Sequence, residues 1–254
     1  MSQAHSFKRP KLRRGVLSVI GTDGGERIAL RLKSAEPDFL QVDVGDDGSA
    51  DFSFKRRKIA RITVEARAGD DRVRIDEGNG VFTDSIQAAI HGGAGNDSLF
   101  GGSGAQTLIG DGGNDSIDGN AGNDLALMGA GDDTFVWDPG DGSDTVEGEA
   151  GADTMLFNGA NIAEQIDVSA KGNRVRFFRD AGNITMDTAG VERIDFEALG
   201  GADLVTVNDL TGTDLTSLNV DLESTPGAGD GQPDRVVVNA TAGDDAINVN
   251  GDAG

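Results

Sequence analysis

Apolar side chains in this chain recur on two short periods, and the change from one to the other marks its organisation. From Gly15 to Ile90, alternating pulses (GVLSVI, RIALRL, FLQVDV, DFSF, ARITVEA and DRVRID) are separated by turns rich in Gly and Asp. Alternation at period two predicts β-strands, and no segment carries a long 3.6-residue period. From Gly92 to Leu156 the period becomes nine, in the rows GGAGNDSLF, GGSGAQTLI, GDGGNDSID, GNAGNDLAL and MGAGDDTFV. After an insert of Trp137 and Asp138 the frame resumes as PGDGSDTVE and GEAGADTML. Position four is always glycine: Gly95, Gly104, Gly113, Gly122, Gly131, Gly142 and Gly151. Position six is aspartate at Asp97, Asp115, Asp124, Asp133, Asp144 and Asp153, with Gln106 the exception. Position eight is always apolar: Leu99, Leu108, Ile117, Ala126, Phe135, Val146 and Met155.

A fixed period of this kind predicts a solenoid. Glycines let a six-residue turn curl through positive φ, and the next three residues form a strand with its middle side chain inward. Two nines close one coil of 18 residues, so the predicted class is all-β: a right-handed parallel β-roll or β-helix solenoid with less regular β flanks. Four regions follow. Residues 1–14, with Lys8, Arg9, Lys11, Arg13 and Arg14, read as a flexible basic tail. Residues 15–91 form an N-terminal β region with degenerate repeats, at Gly24, Glu26, Ile28 and at Gly69, Asp71, Val73. Residues 92–156 form the regular roll. Residues 157–254 continue the strand rhythm through QIDVSA, NRVRFFR, NITMD, VERIDF, LVTVN, LNVDL, RVVVN and AINVN. Further degenerate corners fall there at Gly201, Asp203, Val205 and at Gly243, Asp245, Ile247. The chain stops at NGDAG without a visible polar cap, so a piece of a longer protein is expected.

Charge makes the picture more specific. The 254 residues carry 22 basic and 44 acidic side chains, formally −22, which argues against a nucleic-acid partner. No Lys or Arg lies between Arg74 and Lys171. In a coil of 18, Asp97, Asp115 and Asp133 stack on one edge, and Gln106, Asp124 and Asp144 on the other, about 4.8 Å apart. Two unit charges near 5 Å at an effective dielectric of 20 repel by about 3 kcal/mol. Several such pairs would cancel an ordinary domain stability of about 5–15 kcal/mol. An outside cation is required, and a hard divalent ion taking six to eight oxygens, calcium before magnesium, suits carboxylates and turn carbonyls.

The consensus GGxGxDxUx, with U apolar, resembles the hemolysin-type calcium-binding nonapeptide, the RTX repeat, of bacterial proteins. The resemblance implies several calcium ions between successive turns, folding triggered by calcium, and type I secretion to the exterior or the cell surface. It implies side-chain ligands from Asp97, Asp115, Asp124, Asp133, Asp144 and Asp153. The matching carbonyls come from Gly95, Gly113, Gly122, Gly131, Gly142 and Gly151. Gln106 should weaken its site, and the Trp137–Asp138 insert should break the phase. Roughly three to five occupied sites are expected from the rows available.

Other chemistry is thin. There is no cysteine, which removes disulfides and thiol catalysis, and no apolar run long enough for a membrane span or a secretory signal. His5 and His91 are the only histidines, and no phosphate-binding loop or GxSxG motif occurs. The acid-rich DVGDDGSAD lacks EF-hand ligands at Gly45 and Phe54 and reads as a hairpin turn. Two readings stand beside the calcium module, which is not expected to be an enzyme. One is a non-catalytic adhesin that binds cell envelope or extracellular polysaccharide. The other is a polysaccharide lyase or epimerase using Lys171, Arg174, Arg176 and Arg179 as a polyanion groove.

Overall fold

The computed structural model describes residues 7–224, 229–243 and 246–249. Its described regular structure is β-strand apart from two short 3-10 turns, in one sheet of 12 strands and one of 10. In the nonapeptide block the two sheets alternate. Gln87–Ala94, Thr107–Gly112, Leu125–Ala130 and Thr145–Ala150 pair in parallel in the first. Ser98–Phe100, Ser116–Asp118, Thr134–Trp137 and Thr154–Asn158 do so in the second. All seven position-eight side chains are fully buried between the sheets. That inward row is what the nine-residue period encodes, because alternate residues of a strand face opposite sides.

Both sheets run on through the flanks. Val16–Ile20 and Arg61–Ala68 extend the first, while Arg27–Lys33 and Arg72–Asp76 extend the second, all in parallel. The edges at 91/92 and 156/157 therefore limit sequence regularity, not the fold. Antiparallel hairpins are grafted onto this stack. Glu36–Val44 pairs with Phe52–Lys55 across the acid-rich turn. Gln165–Lys171, Arg174–Arg179 and Ile184–Ala189 form an antiparallel meander within the first sheet.

Three expectations change. The basic segment is not wholly a tail: Lys11–Arg13 pairs antiparallel with Val16–Ile20, and Phe7 stacks 6.4 Å from Phe52. His5 lies outside the described residues. At the corner of Gly243, Asp245 also lies outside them, while Ile247 is 57% exposed and in no strand. The insert does not break the phase. The strand lengthens to place Trp137 inward beside Phe135, and its ring stacks parallel on Phe157 at 4.0 Å. Ala126 is compensated by Met128, fully buried two residues along on the same face.

Candidate metal centre

Each turn of the roll ends with its position-six side chain folded back beneath the coil. On the long edge Asp71 N–H donates to Asp97 Oδ1 at 2.7 Å, Asp97 to Asp115 at 2.7 Å and Asp115 to Asp133 at 2.7 Å. Asp133 N–H donates to Asp153 Oδ1 at 2.9 Å, and Asp153 to Glu192 Oε2 at 2.8 Å. On the short edge Gln106 N–H donates to Asp124 Oδ1 at 2.6 Å and Asp124 to Asp144 at 2.8 Å. Each carboxylate thus accepts from the amide of the preceding row. Position five runs the opposite way: Asn96 Oδ1 accepts from Asn114 N–H at 2.7 Å, and Asn114 Oδ1 from Asp132 N–H at 3.0 Å. Together the two sets of bonds fix the row spacing along the long edge.

One oxygen of each aspartate is used in this way, and the other is not. Oδ2 of Asp71, Asp97, Asp115, Asp124, Asp133, Asp144 and Asp153 is buried without a hydrogen-bond partner. The side chains are at most 3% exposed, and no arginine or lysine pairs with them. Longer side chains behave differently. Gln106 Oε1 accepts from Gly102 N–H at 2.7 Å, Glu26 Oε2 from Thr22 N–H at 2.8 Å and Glu164 Oε2 from Ala160 N–H at 2.9 Å. Each reaches the amide four residues back in its own turn, which the shorter aspartate leaves alone.

Close packing of the corners leaves no room for a Cβ at position four and little at position one in most rows. A Cβ on Gly110 would lie 2.3 Å from Asp115 Oδ2, and one on Gly92 the same distance from Asp97 Oδ2. At position four, Gly95, Gly113, Gly122, Gly131 and Gly151 have φ from +127° to +152°. A Cβ on Gly113 would stand 2.1 Å from the Gly95 carbonyl oxygen, and one on Gly131 2.1 Å from that of Gly113. Position-four carbonyls therefore rise between rows, while the free carboxylate oxygens lie beside the position-one glycines. Gly142 differs, since its carbonyl accepts the Trp137 indole N–H at 2.8 Å.

Electrostatics follow from burial. Burial pushes the Asp124 carboxyl up to about 8, those of Asp71, Asp115 and Asp144 to about 7, and those of Asp97 and Asp153 to about 6. Asp133 rises for the same reason. The amide hydrogen bond opposes the rise, and neighbouring carboxylates add to it. A group held this way charges at a cost that a bound cation would remove. Unpaired buried oxygens, acidic only and aligned in rows, fit a hard cation. Among the described residues no three acidic or histidine side chains converge on one point. An ion would thus draw carboxylates from adjacent rows and its remaining ligands from carbonyls and water.

Sequence reading named Asp71 and Asp203 as acids of degenerate corners but not their partners. Asp71 N–H donates to Asp97, and Glu164 N–H donates to Asp203 Oδ1 at 2.8 Å in a second short stack. Glu192 beneath Asp153 carried no repeat signal. The four basic residues named for a polyanion groove are all paired with acidic side chains. Arg174 is paired with Glu147 and Asp187, Lys171 with Asp187, Arg176 with Asp167, and Arg179 with buried Glu164. No described helix is long and apolar enough to cross a membrane.

The family model of the RTX calcium-binding nonapeptide repeat matches residues 89–105, 100–135 and 140–161, as four copies. No curated protein matches the chain. The matched segments carry six of the ladder's aspartates, Asp97, Asp115, Asp124, Asp133, Asp144 and Asp153, while Asp71 and Glu192 lie outside them. The centre of this chain is an array of RTX calcium-binding nonapeptide repeats, a calcium-binding module built into a longer β-solenoid.

Proposed function

We propose that the chain is a calcium-dependent folding module of a secreted or surface-associated bacterial protein, with no catalytic role. The observation that carries this reading is the set of buried, unpartnered aspartate oxygens in the repeat block. Asp97, Asp115, Asp124, Asp133, Asp144 and Asp153 hold the ions, with carbonyls of Gly95, Gly113, Gly122, Gly131 and Gly151 beside them. Gly142 serves less well because the Trp137 indole already engages its carbonyl. When bound, calcium supplies the positive charge the corner lacks. The chain's own residues do the rest: Oδ1 fixes the amide of the preceding row, and Oδ2 is presented to the gap. Without calcium the ionised rows repel and the roll loosens; millimolar extracellular calcium closes it. Three gaps on the long edge and the Asp124–Asp144 gap carry ions, while the Gln106 row is weaker. Pairing of the four basic residues with acidic side chains speaks against the lyase or epimerase reading. An envelope or extracellular polysaccharide partner is a separate matter for pull-down on envelopes.

Circular dichroism during a calcium titration, reversed with EGTA, tests the proposal. A rise in strand signal and melting temperature is expected; no change in either would sink it.

A further inference from the structure

We propose that the turn at residues 66–71, which lies outside the segments that match the repeat family, forms an additional calcium site with the turn at 92–97, which lies inside them. It rests on reading position-six aspartates as calcium ligands. The sequence ARAGDD keeps three of the six residues of GGAGND and lies outside the matched segments, yet its corner is built bond for bond like a recognised row. Gly69 N–H donates to Ala94 O at 2.7 Å, as Gly95 N–H does to Gly112 O at 2.8 Å. Asn96 N–H donates to Asp70 Oδ1 at 2.8 Å, as Asn114 N–H does to Asn96 Oδ1 at 2.7 Å. Asp71 N–H donates to Asp97 Oδ1 at 2.7 Å, as Asp97 N–H does to Asp115 Oδ1 at 2.7 Å. Backbone angles agree too: Arg67 at φ +93° and Gly69 at +104° occupy the places of Gly93 at +113° and Gly95 at +131°. Arginine at a left-handed position is costly, so the surrounding bonds impose that shape.

The independent pointer to a ligand is Asp71 itself. It is 2% exposed, and its Oδ2 has no partner, like that of Asp97 in the next row. Neither nearby cation forms an ion pair with Asp71. Arg67 pairs with Asp23 at 3.0 Å on the outside, and Arg72 lies over the Phe100 ring at 4.3 Å. Ala66 stands where most rows have a first glycine, but Met128 does so in the Asp133 row. The free oxygens begin at Asp71, because in the next row out both Glu26 oxygens are taken by the amide and hydroxyl of Thr22. Two carboxylates from adjacent rows, with carbonyls and water, suit an ion of calcium's charge and size.

Equilibrium dialysis of radioactive calcium against the full chain tests the site. Asp71→Asn should bind one ion fewer than the wild type and leave the remaining affinities unchanged. Asp97→Asn, which borders two gaps, should lose more. An Asp71→Asn chain that binds the wild-type number of ions overturns the inference. A wild type that binds none overturns the proposed function instead. Hydrogen exchange on the wild type needs no variant to fold. Calcium should slow the peptide over residues 66–72 together with that over 92–97, and protection of the second alone refutes the extra site.

Discussion

Replacing Asp115 by Asn separates a structural aspartate from a metal-binding one, because the two roles give opposite signs. Asparagine keeps Oδ1, so the bond from Asp97 N–H at 2.7 Å survives, and only the free buried oxygen is exchanged for a neutral NH2. Ionising Asp115 in the apo fold is costly: its carboxyl rises from 3.8 to about 7, and at about 1.4 kcal/mol per tenfold change in proton affinity this amounts to about 4 kcal/mol at pH 8. Two unit charges one strand spacing apart give about 3 kcal/mol at an effective dielectric of 20. In chelator at pH 8 the variant should therefore be the more stable chain, by up to about 4 kcal/mol, or about 10 °C in melting temperature for a domain of this size.

Calcium should reverse the order. Asp115 borders two gaps, and each ion contributes about 2.7 kcal/mol at a hundredfold excess over its dissociation constant and about 4 at a thousandfold. Losing both turns the variant's advantage into a deficit of about 1 kcal/mol in the first case and about 4 in the second. The assay is thermal or urea unfolding followed by circular dichroism, with and without EGTA. A variant destabilised equally in both conditions would refute the reasoning, as would an advantage in chelator that calcium leaves unchanged.

Other outcomes follow from the same geometry. The ladder carboxyls have folded values above 3.8, so their protonated forms stabilise the apo fold. That contribution is full below about pH 4 and is lost as pH rises through 6 to 8, so in EGTA the chain should melt higher at pH 5 than at pH 8. Equal melting at the two values would show the carboxylates to be paid for elsewhere. Asp133→Glu should close on the amide four residues back, as Glu26, Gln106 and Glu164 do; dialysis should show calcium lost while the strand signal in chelator persists. Gly113→Ala forces a Cβ to 2.1 Å from the Gly95 carbonyl at φ +130°, which should cost more than about 1 kcal/mol and raise the calcium midpoint in a fluorescence titration. Trp137→Ala removes a fully buried ring stacked on Phe157, and urea unfolding in calcium should show a loss of about 3–5 kcal/mol.

The repeat block was legible because, up to the insert at Trp137 and Asp138, its loops are the same length, so period and geometry coincide. At the insert and in the flanks they separate. Hydrogen-bonded corner partners lie 18 residues apart at Asp97 and Asp115, but 20 apart at Asp124 and Asp144, 26 at Asp71 and Asp97, and 39 at Asp153 and Glu192. In each case the extra residues leave as a longer strand, a loop or a hairpin, and the corner still closes. Doubling a loop costs only about 0.6 kcal/mol in closure entropy, less than the amide–carboxylate bond at the corner contributes. A constant period is therefore sufficient for this coil but not necessary, which is why the flanks looked irregular while both sheets pass through them. The chemical distinction at position six was equally hidden, since aspartate, glutamate and glutamine all read as polar or acidic in a pattern. One methylene separates them: Glu26, Gln106 and Glu164 each turn an oxygen back onto the amide four residues earlier, whereas the ladder aspartates reach the neighbouring row's amide with one oxygen and leave the other bare. Glu192, which takes the Asp153 amide, is the exception. The binding capacity of a row is thus set by side-chain length as much as by charge, and Asp71 belongs with the aspartates of the repeat although it lies outside the segments that match the family.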